Sequence, residues 1–194
     1  MRRIVAISDT HLEFGSEIPA SLIDLATEAD LLLHAGDLVS PEVYEAFSDL
    51  APLEAVCGNS DHPQVKARLP ERRVVEVEEA RIGLVHLAAR SRDLTGADFL
   101  AREMEVDALV FGHIHRPLVE EGPRLLICPG SPTEPRLSPP AAAEIEVEGK
   151  EIRARIVLLG KPVCGYFKFA ESLAERSADG REEWKEVMRE EQKK

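Results

Sequence analysis

The sequence predicts an α/β protein with a parallel sheet core and helices on its faces. Three observations carry this. Short β-branched apolar runs alternate with helix-period runs through the first third of the chain. Those runs follow the β-α-β-α-β order of a parallel sheet. A length of 194 residues with 44% apolar and 31% charged side chains is ordinary for a globular domain and too apolar for disorder.

Arg3 to Ile7 reads as a first buried strand. From Pro19 the apolar spacing of Leu22, Leu25, Ala26 and Ala29 is helical, with proline in the first turn, where its missing N–H is harmless. Leu31 to Ala35 is a second strand. Ser40-Pro41 supplies an N-cap and first position for a helix whose Val43, Phe47 and Leu50 share one face. Leu53 to Cys57 is a third strand. Val75 and Val77 alternate with glutamates and are followed by Ile82 and Leu84, which predicts a hairpin.

Ala97, Leu100, Ala101 and Met104 mark a further helix, with Thr95 as its cap and Asp98 three residues on. Ala108 to Phe111 is a buried strand, and Leu118 to Glu120 and Leu125 to Cys128 are shorter ones. A proline-rich loop, Pro129 to Pro140, precedes the clearest hairpin, Glu144 to Leu158. There a Gly149-Lys150 type II′ turn sets Glu146 opposite Arg153, Glu144 opposite Arg155 and Val147 opposite Ile152. One domain is expected over residues 1–160. Residues 161–194 form a charged extension with Trp184, Val187 and Met188 at helical spacing. Two readings stay open for it: a helix packed by a narrow stripe on its own domain, or an arm that docks on a second copy.

Composition excludes several functions. No apolar run approaches the roughly 20 residues of a membrane span. Met1-Arg2-Arg3 is followed by only four apolar residues, so it opens a strand rather than a signal peptide. Cys57, Cys128 and Cys164 cannot all pair internally and fit no zinc knuckle, which points to a reducing cytoplasm. A net charge of −12 argues against general nucleic-acid binding. An anionic substrate would therefore need a local source of positive charge.

The residues just past each strand suggest that source. The first strand leads into Asp9 and His11, the second into Asp37, the third into Asn59 and Asp61. The strand ending at Val85 leads into His86, and the one ending at Phe111 into His113 and His115. Ligand sites of parallel sheets lie beyond the strands' carboxyl ends. Asp9, His11, Asp37, Asn59, His86, His113 and His115 are thus delivered to one edge. Asp9 and His11, like His113 and His115, are two apart and would point the same way from an extended backbone. Gly36, Gly58 and Gly112 permit sharp exits and close backbone approach before three of these residues. Oxygen and imidazole donors without thiolate suit Mn²⁺ foremost, or Ni²⁺, Zn²⁺ or Fe. There are too many for one open ion, and the set suits two sharing a carboxylate.

As an ordered set, Asp9-Thr10-His11, Gly36-Asp37, Gly58-Asn59-Ser60-Asp61, His86 and Gly112-His113-Ile114-His115 resemble the motif series of calcineurin-like metallophosphoesterases. The short chain, and Pro129-Gly130-Ser131 after the last motif, are most similar to the small phosphodiesterase branch without a cap domain. The resemblance covers about residues 1–160. It implies a four-layer αββα sandwich of two mixed sheets flanked by helices. It also implies one divalent ion on Asp9, His11, Asp37 and His115, and a second on Asp37, Asn59, His86 and His113, with Asp37 bridging. A hydroxide between the ions would attack phosphorus in line. The ions outweigh the ligand carboxylates and the hydroxide, so an acidic chain can still bind a small phosphoester.

Two positions depart from the resemblance. Many relatives carry histidine where this chain has Ser60, so the residue that protonates the leaving group is open; His62 is the candidate, its other role being to cap the helix after Pro63. Leu87 follows His86 where glycine is common. Asp61 is expected to orient Asn59 or a ligand histidine, and His34 to be a hydrogen-bonded core residue. Among the loop arginines Arg90, Arg92, Arg116 and Arg136, Arg136 is the candidate for holding substrate phosphate. Cys57 and Cys128 read as small buried hydrophobes. The leading function is hydrolysis of small phosphodiesters. Phosphomonoester or nucleotide hydrolysis is the alternative enzyme reading, and the retromer-type scaffold subunit shows that this fold also serves protein binding.

Overall fold

A computed structural model describes residues 1–89 and 93–161. Arg90, Arg92, Cys164 and the expected C-terminal helix lie outside the described residues. Strands β1 (Arg2–Ile7), β2 (Leu31–Ala35) and β3 (Leu53–Val56) pair in parallel, and β9 (Ala141–Glu148) and β10 (Glu151–Leu158) extend them as an antiparallel hairpin, in the order β10-β9-β1-β2-β3. A second sheet has the order β4-β5-β6-β8-β7. In it β5 (Ala80–Val85), β6 (Ala108–Phe111) and β8 (Leu125–Cys128) are parallel, while β4 (Arg72–Val77) and β7 (Leu118–Glu120) are antiparallel edges.

Period-2 patterning decides the layers. Ile4, Ala6, Leu33 and Ala35 from the first sheet meet Ile82, Leu84, Val110 and Ile127 from the second in a core between the sheets. The alternate residues Val5, Ile7 and Leu32 face outward onto Leu22 of α1 (Ala20–Thr27), Val43 and Phe47 of α2 (Pro41–Leu50) and Val65 of α3 (Pro63–Arg68). On the far side, Leu109 and Phe111 pack with Ala97 and Ala101 of α4 (Thr95–Glu103). The layers run helix, sheet, sheet, helix, as the resemblance implies.

Local signals account for most boundaries. Ser40 caps α2, accepting the Val43 N–H at 3.2 Å, with Pro41 next. Gly149 has φ +60° at the tip of the last hairpin, and the register sets Glu146, Glu144 and Val147 opposite Arg153, Arg155 and Ile152. Of the two expected charge pairs, Glu144 with Arg155 forms, whereas Arg153 turns to another partner. Arg153 binds Glu151 at 2.7 Å, whereas Glu144 is buried and shared by Arg155 and Arg3. Arg3 comes from β1, a non-local neighbour that hairpin reasoning does not see. Two caps also differ. Pro19 is the N-cap of α1 rather than its first residue. Thr95 is already helical, and its hydroxyl binds Asp93 at 2.6 Å instead of a helix N–H.

Candidate metal centre

The carboxyl ends of β1, β2, β3, β5 and β6 bring Asp9, His11, Asp37, Asn59, His86, His113 and His115 to one rim. His11 Nε2 lies 3.2 Å from His115 Nε2 and 3.5 Å from Asp37 Oδ2. His115 Nε2 is 3.5 Å from Asp9 Oδ1, and His86 Nε2 is 3.4 Å from Asp37 Oδ2. Asn59 Oδ1 sits 3.0 Å from both His86 Nε2 and His113 Nδ1. Donor atoms of Asp9, His11 and His115, and of Asp9, Asp37 and His86, cluster tightly enough to share an ion. The spacing fits: bonds of about 2.1 Å place neighbouring donors about 3.0–3.4 Å apart around an octahedral or tetrahedral ion.

The chain does not reach this geometry from extended backbone. Asp9 (φ 53°), His11 (49°), Asp37 (59°), His113 (73°) and His115 (53°) are all left-handed. Such residues cost of order 1 kcal/mol each and persist where the surroundings over-determine them. Here the Asp9 N–H donates to Gly36 O and the His11 N–H to Asp37 O, both at 3.0 Å, which carries the β1–β2 pairing past the strands and curls both loops over the edge. The two-residue spacing therefore works by alternating left-handed turns, a correction to the extended-backbone reading. Close approach does the rest. A Cβ on Gly58 would overlap the Asp37 carboxylate, and one on Gly112 would press on Ala35 O and Asp9 Oδ2.

The imidazoles are oriented from behind. His86 Nδ1 lies 2.9 Å from Ala35 O and His115 Nδ1 lies 2.6 Å from Glu134 O. A carbonyl can only accept, so each Nδ1 carries the proton and each Nε2 turns a lone pair to the rim. His11 Nδ1 faces the Glu134 carboxylate at 3.8 Å. The carboxylates are held likewise. Asp37 accepts the Ser60 N–H at 2.8 Å and its hydroxyl at 3.0 Å. Burial would raise the Asp37 carboxyl, but His86 and then Ser60 outweigh it and hold the group well below the usual carboxylate range. Burial lowers His86, and the adjoining Asp37 overcomes this and raises it. Asp9 accepts the His113 N–H at 2.9 Å and the Ser8 hydroxyl at 2.7 Å. Burial, with the nearby His86, lowers His113.

Several supporting residues had no sequence signal. Ser8 also reaches Gly130 O at 2.9 Å, and Ser131 donates to Asp9 O at 2.6 Å. Both contacts span 122 residues of sequence, which local pattern cannot anticipate. Asp61 does not touch Asn59 or a ligand histidine. It accepts the Val39 and Gly58 N–H groups, each at 2.6 Å, and so ties the loop after β2 to the loop after β3. His62 occupies the N-cap of α3 without a side-chain cap bond, and its Nε2 lies 3.7 Å from Glu13. Arg136 is exposed and left-handed, on the loop that supplies Glu134, with its charge acting on His113. His34 is fully buried, with Nε2 3.1 Å from Thr10 Oγ1. Cys128 is buried and its thiol pushed up to about 12, unsuited to nucleophilic attack.

Residues 1–150 match the calcineurin-like phosphoesterase superfamily domain. The chain is 38% identical over 169 residues to a probable metallophosphoesterase of Methanothermobacter thermautotrophicus, covering 86% of this chain and 98% of that protein. Vps29 of Chaetomium thermophilum shares the fold with a TM-score of 0.66 at 22% identity, over 84% of this chain and 100% of its own. So does a structure described as a novel archaeal phosphodiesterase, with a TM-score of 0.64 at 23% identity, over 80% of this chain and 99% of its own. No helix among the described residues is long and apolar enough to cross a membrane. With its first 150 residues matched and a relative aligned over nearly that relative's full length, the chain belongs to the calcineurin-like phosphoesterase superfamily.

Proposed function

We propose that this metallophosphoesterase hydrolyses small phosphodiesters. One observation carries the reading: imidazole and carboxylate donors from four strand ends converge at ion-sharing distances, and two histidines have their outer nitrogen fixed by a carbonyl. Asp9, His11, Asp37 and His115 would hold one divalent ion, and Asp37, Asn59, His86 and His113 the other. The donor set suits Mn²⁺ first, with Ni²⁺, Zn²⁺ or Fe as alternatives. When bound, such a pair supplies a nucleophile from water at neutral pH and neutralises charge on phosphoryl oxygens. The chain's own residues do the rest. Ser60 keeps Asp37 ionised through its N–H and hydroxyl, Arg136 would reach toward the phosphate, and His62 would serve as the proton donor to the departing oxygen. The likeness of the motif series to the small cap-less phosphodiesterase branch favours diesters over monoesters.

The shared fold with Vps29 favours one other reading, a protein-binding scaffold. Elemental analysis of the purified protein, with diester and monoester p-nitrophenyl substrates under added Mn²⁺, Ni²⁺ or Zn²⁺, tests the proposal. The expected result is two ions per chain, faster diester turnover and an inert chelated protein. Strong turnover after exhaustive chelation, or a preference for monoesters, overturns it. Asp37→Asn separates enzyme from scaffold. An enzyme loses an ion and roughly three orders of magnitude of activity, while a scaffold keeps its partner.

A further inference from the structure

A cleft of about 580 Å³ opens beside the ligand rim, and two of its walls are Asn59 and His86. Its volume is that of a site for a small organic group. Next to those two residues the lining turns apolar, with Cys57 after β3, Val85 at the end of β5, and Leu87. Leu87 is 42% exposed although it directly follows a candidate ligand. Burial, reinforced by Asp61 and Glu71, raises the Cys57 thiol, so the thiol itself stays uncharged. Lys66, Glu71 and Arg72 also line the cleft. Arg72 is engaged by Glu103 at 3.0 Å, whereas Lys66 donates to the Asn59 carbonyl at 2.7 Å and sets a positive charge next to the ligand loop.

We propose that this cleft is the subsite for the ester arm that stays on phosphorus, and that it selects a flat, largely apolar arm of aryl or nucleoside size over a methyl-sized one. The inference rests on the phosphodiesterase reading. In an in-line displacement the departing group points away from the ligand side, while the retained arm lies beside it. Beside it, on the Asn59–His86 side, is this cleft. Leu87, Val85 and Cys57 would cover the arm's faces, and Lys66 would face the phosphate's remaining negative charge. Leu87 is the one exposed leucine of the lining, so it shapes that wall of the subsite.

The test uses the full chain loaded with Mn²⁺ and two substrates that release the same chromophore, phenyl p-nitrophenyl phosphate and methyl p-nitrophenyl phosphate. The wild-type kcat/KM ratio, phenyl over methyl, is expected to be about tenfold or more. Leu87→Ala should lower that ratio about fivefold, a comparison in which the substrates' intrinsic reactivities cancel. Leu158→Ala, an exposed leucine on β10 remote from the cleft lining, should leave the ratio as in the wild type. Turnover of both diesters with a ratio near one, or a ratio untouched by Leu87→Ala, overturns the subsite and leaves the phosphodiesterase reading standing. Turnover of neither diester overturns both.

Discussion

His11 Nε2 and His115 Nε2 lie 3.2 Å apart across 104 residues of sequence. The His115 outer nitrogen is already committed to Glu134 O, so its inner one presents a lone pair, and Asp9 and Asp37 stand within 3.5 Å of the two rings. Only a proton or a cation makes that arrangement favourable. Metal binding should therefore stabilise the native state. At a concentration a hundred times its dissociation constant an ion contributes about 2.7 kcal/mol, which for a chain of this size is about 5–10 °C in Tm. Differential scanning fluorimetry with Mn²⁺ and after chelation should show this shift. His115→Ala should lose most of it while the chelated proteins melt within a few degrees of each other. Equal shifts in both would mean that the ion binds elsewhere.

The two glycines at positions 58 and 149 should respond differently to alanine. A Cβ at 58 would enter the Asp37 carboxylate, whereas at 149 no atom lies within 4 Å and only the +60° φ opposes it. Gly149→Ala should cost about 1 kcal/mol in urea unfolding and leave metal content intact. Gly58→Ala should cost about 1–3 kcal/mol through overpacking and also lower the ion content, because Asp37 must move. Full metal occupancy in Gly58→Ala would show that the loop relaxes without disturbing Asp37.

These contrasts also show what could be read from sequence. The parallel strands β1, β2 and β3, and the delivery of ligand candidates by β1, β2, β3, β5 and β6, were legible because buried parallel strands are apolar runs and the residues after them break the pattern. The register of β9 and β10 was legible because Gly149-Lys150 permits one two-residue turn. The left-handed backbone at Asp9, His11, His113 and His115 was not legible. Side-chain spacing says nothing about φ when hydrogen bonds from another strand bend the loop. Ser8, Ser131 and Glu134 escaped for a related reason, since their partners lie far away in the chain or are reached through a backbone carbonyl. Asp61 was read as serving a side chain and in fact serves two backbone N–H groups.

His62 stands between two roles that kinetics can separate. Its ring faces Glu13, two residues beyond His11, and its backbone N–H donates to Val39 O, two residues beyond Asp37. If it donates the proton to the departing oxygen, His62→Ala should slow a diester with an alkyl leaving group by about a hundredfold or more. A p-nitrophenolate leaving group needs little protonation, and its release should slow by less than about threefold. Equal losses on both substrates would assign His62 to loop positioning and leave proton donation to solvent.

His34 makes a prediction about pH. The ring is fully buried between Thr10 and Phe47, and burial lowers it to about 3, with Asp37 opposing and His86 and His11 assisting. The native protein thus keeps His34 neutral, while the unfolded chain takes up its proton below about pH 6.5. Where the unfolded state binds more protons, stability falls as pH falls. Between about pH 7 and pH 5 this one group should remove about 2 kcal/mol from the chelated protein, and the loss should continue until pH approaches the native value. The raised His86 acts in the other direction, so the total slope is not diagnostic. The difference between proteins is. His34→Gln retains a polar partner for Thr10 without titrating, and urea unfolding at the two pH values should show its stability less acid-sensitive than the wild type's by about 2 kcal/mol. Parallel acid limbs would mean that His34 is protonated in the native state and that another group, not this ring, balances the buried charge.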